Sequence, residues 1–202
     1  KQFTSPINIA IPSGNFGNAY SAWFGRENGL PINEIFCASN VNDVLTRFIS
    51  SGKLEPKETI PSVAPSMDIQ IPSSLERLIY NLEGEASLFY DQLQSEKIAN
   101  LTEKSTVKLQ NIFSSLSFDD EMILKEIELF YKNYGWIIDP HTATALSSST
   151  SFSSNLPVVG VATASPEKFS DVISKIIDEF TVENEKNEEK FLVQKANSSL
   201  VE

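Results

Sequence analysis

The residues best suited to chemistry form a short turn near the start of the chain, Ser13-Gly14-Asn15-Phe16-Gly17-Asn18. An apolar run precedes this turn and a helical pattern follows it, so it joins a strand to a helix N-terminus. Glycine lets a backbone approach a ligand closely, and the first amides of a helix have no intrahelical partner. The turn therefore predicts an anion site, usually filled by a phosphate. The alternative is an ordinary strand-to-helix turn with an asparagine cap.

A second group of polar residues lies far along the chain, in Asp139-Pro140-His141-Thr142. The Thr142 hydroxyl is neutral and can donate a hydrogen bond to an unprotonated ring nitrogen. Combined with the glycine turn, it would give a two-point grip on a phosphorylated heterocycle. His141 is the only histidine and Cys37 the only cysteine, which argues against an internal disulfide and against a zinc site built from several histidines or cysteines. Their alternative roles are structural, as a capping or packing histidine and a buried thiol.

Composition excludes several classes of partner. The net charge of −11 argues against nucleic acids and anionic membranes, because both would repel the chain. No apolar run approaches the length of a membrane span, and no basic segment followed by an apolar one opens the sequence. We therefore expect a cytoplasmic protein with a small-molecule ligand.

The patterning predicts an α/β fold with a parallel sheet, because apolar strands alternate with amphipathic helices. Asn40 is predicted to cap the second helix, and Ser73 with Glu76 matches a capping box at the start of a long helical stretch. We expect four regions: the first part of an α/β domain (1–72), an all-helical insertion (73–134), a return to the α/β domain (135–180) and an acidic tail (181–202). The predicted strands are residues 7–11, 34–39 and 158–163, and the predicted core helices are 19–28, 41–50 and 167–180.

Five sequence blocks, in this order, resemble the C-terminal half of threonine synthase, in its longer-chain fungal and bacterial branch. The resemblance spans roughly residues 5 to 180. The blocks are Ser13-Gly14-Asn15-Phe16-Gly17-Asn18, Asn42-Asp43-Val44-Leu45-Thr46-Arg47-Phe48, Pro65-Ser66-Met67-Asp68-Ile69-Gln70, Leu75-Glu76-Arg77-Leu78 and Asp139-Pro140-His141-Thr142-Ala143.

This resemblance implies a partial three-layer, parallel-sheet domain of the fold-type II enzymes that use pyridoxal 5'-phosphate. It also implies that Thr142 contacts the pyridine nitrogen and that Ser66, Arg47 and His141 are weaker candidates for substrate contacts. The alternative for Arg47 is an ion pair that joins loops to helices. The cofactor phosphate would be held by the backbone amides of Gly14, Asn15, Phe16, Gly17 and Asn18.

The family is a group of carbon–oxygen lyases that convert O-phospho-L-homoserine and water into L-threonine and phosphate. Its Schiff-base lysine stands in a Phe-Lys-Asp context, and no such tripeptide occurs in these 202 residues. The resemblance therefore implies a chain that contains no catalytic residue and is inactive without the N-terminal half of the enzyme. Two alternatives stay open: a threonine-synthase-like phospho-lyase that makes a keto acid, and a non-catalytic fragment or binding module.

Overall fold

The computed structural model describes residues 5–148, 151–152 and 154–177. Its main sheet has four parallel strands, in the spatial order β5 (Phe113–Ser117), β2 (Ile32–Ser39), β1 (Ile7–Pro12) and β6 (Val158–Gly160), so the strand that leads into the glycine turn is a central one. The predicted tail 181–202 lies outside the described residues. The two-residue strands β3 (Lys53–Leu54) and β4 (Ala99–Asn100) pair separately.

Helices cover both faces of this sheet. Alternate residues of β2 point in opposite directions, so that Ile35 and Cys37 join one apolar cluster while Phe36 and Ala38 join another. The result is the three-layer α/β arrangement that the sequence predicts. On the first face lie α1 (Gly17–Glu27), α2 (Val44–Ser51), α3 (Leu75–Glu83), α4 (Ser87–Glu96) and α5 (Glu103–Gln110), and on the second α6 (Asp120–Tyr134), α7 (Pro140–Ser147) and α8 (Ser170–Ile173).

The first βαβ unit follows the sequence closely. A β-branched run forms β1, and Gly29 adopts a φ of 92° just beyond α1, where a side chain would be strained. α2 starts later than predicted, at Val44, and Asn40 instead accepts a hydrogen bond from the amide of Asn42 at 2.9 Å. Gly52 ends α2 with a φ of 72°.

The expectation of an all-helical insertion over residues 73–134 is wrong. β5 lies inside that segment and pairs with β2 over five residues, from Ile35 with Phe113 to Ser39 with Ser117. The main sheet therefore gains an edge strand from a region predicted to be entirely helical. The capping box is also absent. Ser74, and not Ser73, occupies the N-cap position of α3, and its side chain makes no capping hydrogen bond.

The return to the sheet after α7 is shorter than predicted. β6 covers only Val158–Gly160 and is half-exposed instead of buried, with Val159 45% accessible. Pro166 opens a 3₁₀ turn, Pro166–Phe169, before the short α8. Residues 178–180 of the predicted last helix lie outside the described residues. Within those described, no helix is both long and apolar enough to cross a membrane.

Candidate functional site

The glycine turn leaves the sheet where β1 ends. The amide of Ser13, the first residue after β1, donates to the carbonyl of Ala38 in β2 at 2.8 Å, which fixes the start of the turn against the sheet. Phe16 then adopts the left-handed region, with a φ of 68° and a ψ of 3°, and α1 begins at the next residue. This conformation is strained for a bulky residue. The buried ring of Phe16 packs 5.4 Å from that of Phe113, which anchors the strained residue in the core.

Gly14 is required by close packing. A Cβ atom at this position would lie 2.7 Å from the Cα of Met67 and 3.0 Å from the carbonyl oxygen of Ser66. Both neighbours are backbone atoms and cannot turn away as a side chain could. The turn is thus pressed against the 3₁₀ segment Pro65–Met67, which forms one wall of the site.

The amides of this turn have no acceptor among the described residues. The backbone N–H groups of residues 14 to 18 donate no hydrogen bond there to a carbonyl or a side chain. Phe16 provides no side-chain cap for α1, and the first turn of α1 carries no acidic residue. The asparagine cap that was the alternative interpretation is therefore absent. Five consecutive donors at a positive helix end can together bind an anion.

Asn15 attaches a second segment to the turn. Its side-chain oxygen accepts hydrogen bonds from the amide of Ser73 at 2.6 Å and from the hydroxyl of Ser73 at 2.9 Å. Its backbone carbonyl accepts from the amide of Ser74 at 3.2 Å. The start of α3 is thereby fixed against the start of α1.

A neighbouring wall is the N-terminus of α7, which Asp139 caps. Its carboxylate accepts hydrogen bonds from the amide of His141 at 2.9 Å, the amide of Thr142 at 3.3 Å, the His141 Nδ1 at 3.0 Å and the Thr142 hydroxyl. Burial by itself would raise the pKa of Asp139, but the bonds from His141 and Thr142 outweigh it and lower the pKa below its ordinary value. The buried carboxylate is therefore ionised near neutral pH.

His141 joins α7 to the wall formed by Pro65–Met67. Its Nε2 accepts a hydrogen bond from the amide of Ser66 at 3.1 Å, and its ring lies 5.0 Å from that of Phe169. A backbone amide can only donate, so Nε2 carries the lone pair and the neutral ring holds its proton on Nδ1, facing Asp139.

These elements surround a hollow of about 240 Å³. The described residues that line it include no lysine, arginine, aspartate or glutamate. The ionised carboxylate of Asp139 contacts one lining residue, His141. Thr142, the residue after His141 in α7, does not line the hollow. The lining residues are Pro12, Ser13, Gly14, Asn15, Phe16, Gly17, Asn18, Ser66, Met67, His141 and Thr163.

Comparison with known proteins agrees with this architecture. No family model matches the chain. It is 30% identical over 175 residues to threonine synthase of Pseudomonas aeruginosa, covering 84% of the chain and 37% of that protein. It is 34% identical over 182 residues to the human protein threonine synthase-like 1, covering 87% of the chain and 24% of that protein.

A crystal structure of threonine synthase from Brucella melitensis, with pyridoxal phosphate bound, superposes on the chain with a TM-score of 0.83 at 29% identity. The match covers 87% of the chain and 39% of that structure. The chain belongs to the threonine synthase family. It spans well under half the length of the relatives that it matches. The fold-type II class implied by the sequence blocks is confirmed by this superposition.

Within this threonine synthase family chain, the predicted site residues fall into two sets. Residues 14–18, Ser66 and His141 all line the hollow, although Ser66 also uses its amide to hold His141. Thr142 and Arg47 do not line it. The guanidinium of Arg47 pairs with Asp43 at 2.9 Å and with Glu55 at 3.7 Å. That environment favours the ion-pair alternative for Arg47.

Asp68, from the third family block, organises the loop before α3. Its carboxylate accepts from the side chains of Asn40 and Asn42 and from the amide and hydroxyl of Ser62, at 2.7 to 3.1 Å. These four bonds join the segment after β2 to the proline-rich loop. The proline-rich loop in turn carries Ser66 to the hollow.

Sequence reasoning missed several contributors. Asp139 followed by Pro140 is a recognisable helix start and could have been identified as a cap. Ser13 belongs to the glycine turn, but no local pattern assigns a role to its side chain. Thr163 and Met67 carry no local signal, because only the fold brings them to the hollow.

Proposed function

We propose that this chain provides the phosphate-binding part of a pyridoxal 5'-phosphate site. The supporting observation is the set of five amides, from Gly14 to Asn18, that find no acceptor among the described residues and belong to residues that all line one hollow. Backbone donors left without partners carry a free-energy cost when water is excluded, and a bound phosphate would remove it. The chain is strongly acidic overall, yet no described lining residue of the hollow is a carboxylate.

The size and chemistry of the hollow support a divided site. Complete small-molecule pockets measure roughly 300–1,000 Å³, and this hollow measures about 240 Å³. None of its described lining residues has an amine that could bind the cofactor covalently. We propose that the remaining part of the protein provides this amine and closes the pocket, so that the present residues act as a binding half.

Thr142 is proposed to face the ring nitrogen of the cofactor. In this structure its hydroxyl donates to Asp139. To donate to an unprotonated nitrogen, the hydroxyl must turn away from Asp139. Asp139 and His141 then act as positioning residues that hold the start of α7 against the hollow.

The activity proposed for the full-length protein is that of threonine synthase, a carbon–oxygen lyase acting on O-phospho-L-homoserine and water to give L-threonine and phosphate. Pyridoxal phosphate supplies an electron sink for carbanion chemistry when bound. This chain would hold its phosphate and orient its ring. Ser66 is the stronger candidate for facing the substrate, because Arg47 is already held by Asp43 and Glu55. A cytoplasmic location stays a prediction.

The test is product analysis with the full-length protein, pyridoxal phosphate and O-phospho-L-homoserine. L-Threonine and phosphate in equal amounts are expected. Phosphate released together with a keto acid would instead identify the phospho-lyase alternative. We keep this alternative because the chain is 34% identical to human threonine synthase-like 1 and 30% identical to the Pseudomonas aeruginosa enzyme. Absence of any phosphate release would favour a non-catalytic binding module.

A second experiment locates the reactive amine. Borohydride reduction of the loaded full-length protein fixes the cofactor to its lysine, and peptide mapping then identifies that residue. The label is expected outside the 202 residues of this chain. A label on any lysine within them would contradict the proposed division of the site.

A further inference from the structure

Among the described residues that line the hollow, Ser13 has the one buried side chain whose polar atom has no hydrogen-bond partner. Ser13 is 4% exposed, and its hydroxyl has no hydrogen-bond partner among the described residues. It lines the hollow directly before the five free amides. Since its own amide is held by Ala38 at 2.8 Å, the position of the residue is fixed by the sheet.

An unpartnered buried hydroxyl reduces stability, because the group has lost water and gained nothing in return. Such a residue is expected where a ligand supplies the missing partner. The neighbouring thiol of Cys37 is a poor hydrogen-bond partner for the Ser13 hydroxyl. Burial raises the pKa of the Cys37 thiol to about 12, against a smaller opposite effect of the nearby Ser13 hydroxyl, which does not reach hydrogen-bond geometry with the sulfur. The thiol therefore stays neutral, and a neutral sulfur accepts hydrogen bonds only weakly.

We propose that the Ser13 hydroxyl donates a hydrogen bond to the bound anion, as a side-chain ligand added to the amides of residues 14–18. This proposal rests on the proposed function, since it assigns one more ligand to the same phosphate. It follows from the placement of a fixed, buried, unpartnered donor in the wall of a hollow that already has a positive helix end.

The test compares two serine-to-alanine variants in the full-length protein. Ser39 is the matched control, because it is 1% exposed, its hydroxyl also lacks a partner among the described residues, and it does not line the hollow. Equilibrium dialysis measures the affinity for pyridoxal 5'-phosphate and for pyridoxal, which lacks the phosphate. A hydrogen bond to a charged group typically corresponds to a factor of about ten or more in affinity.

Ser13→Ala is expected to weaken pyridoxal 5'-phosphate binding about tenfold and to leave pyridoxal binding unchanged. Ser39→Ala should change neither affinity. Without ligand, Ser13→Ala should melt at the wild-type temperature or above it, because the lost hydroxyl had no partner. Inorganic phosphate should then raise the melting temperature of the variant less than that of the wild type.

The outcomes separate the two proposals. If the wild type binds pyridoxal 5'-phosphate no better than pyridoxal, the proposed phosphate site is wrong. If the wild type prefers the phosphorylated form and Ser13→Ala retains that preference in full, only the role of Ser13 is wrong. A variant that loses both ligands equally also contradicts the role of Ser13, because the loss would not involve the phosphate.

Discussion

Two helix N-termini border the hollow, and they differ in how their donors are used. At the start of α1, five consecutive amides and the Ser13 hydroxyl have no partner within the described part of the chain. At the start of α7, one carboxylate accepts four hydrogen bonds from His141 and Thr142. The first end is open for a ligand, and the second is already closed by the protein itself.

This difference indicates a division of labour. A capped helix start is stable without ligand, so α7 can act as a rigid reference for whatever binds opposite it. An uncapped start beside a strained residue, Phe16, costs stability that a bound anion can restore. Binding energy is therefore concentrated at α1, while α7 and its link to Ser66 preserve the shape of the hollow.

The largest expected effect comes from breaking the closed end. Asp139→Ala would leave two buried side-chain donors and two amides without their acceptor, and we expect the free energy of unfolding to fall by roughly 3 kcal/mol or more. Urea unfolding measures this loss. Asp119→Ala is the matched control: Asp119 caps α6 through the amide of Met122 but is exposed. There we expect a loss of about 1 kcal/mol. Equal losses would contradict the special role of the α7 cap.

A smaller stability effect but a larger binding effect is expected at the open end. Gly14→Ala places a Cβ 2.7 Å from the Cα of Met67, so the turn must shift. We expect a stability loss of about 1–3 kcal/mol and at least a roughly tenfold loss of affinity for inorganic phosphate, measured by calorimetry.

The control for Gly14 is Gly25→Ala on α1. Its Cβ would also meet an atom at 2.7 Å, but that atom is the Cδ1 of Leu30, the end of a flexible side chain. Phosphate affinity should be unchanged in this variant. If both variants lose affinity equally, general disturbance of α1 would explain the result, and the close approach at Gly14 would not.

Acid should act on the closed end through Asp139. Its pKa is lowered in the folded chain, so the carboxylate contributes stability above its unfolded pKa of about 3.9 and loses that contribution as pH falls through the folded value. The slope of unfolding free energy between about pH 5 and pH 2 should therefore be smaller in Asp139→Asn than in the wild type. Identical slopes from urea titrations would show that this carboxylate is not stabilised by its partners.

Much of this arrangement could be predicted from local sequence signals. The run before Pro12 predicts a buried strand, Gly29 marks the end of α1, and the two glycines of the turn indicate close approach to a ligand. Asp139 and Pro140 mark the start of α7. Each of these signals depends on neighbours within a few residues, which is the range over which propensity and capping act.

The remaining features depend on contacts between distant parts of the chain. β5 reads Phe113-Ser-Ser-Leu-Ser, too polar to indicate a strand, and it becomes one by pairing with β2. Ser73 has the sequence context of a helix cap, but Asn15, 58 residues away, accepts its hydrogen bonds. No local pattern could have predicted the bond from Ser66 to His141, since 75 residues separate them.

The last prediction concerns which ring nitrogen of His141 carries the proton, and it tests the hydrogen bond that joins α7 to Pro65–Met67. Because the Ser66 amide donates to Nε2 and Asp139 faces Nδ1, neutral His141 should exist as the Nδ1–H tautomer. Since it is the only histidine of these 202 residues, its ring ¹⁵N–¹H correlations can be assigned by comparison with a His141→Gln variant.

The matched control for the tautomer is Ser66→Ala, which removes the hydroxyl but retains the amide that donates to His141. The correlation pattern should therefore be unchanged in this variant. Observation of the Nε2–H tautomer in the wild type would mean that the Ser66 amide does not hold the ring. In that case α7 and Pro65–Met67 would be joined only by packing. The start of α7 would then lack the hydrogen bond that holds it in place beside the open start of α1.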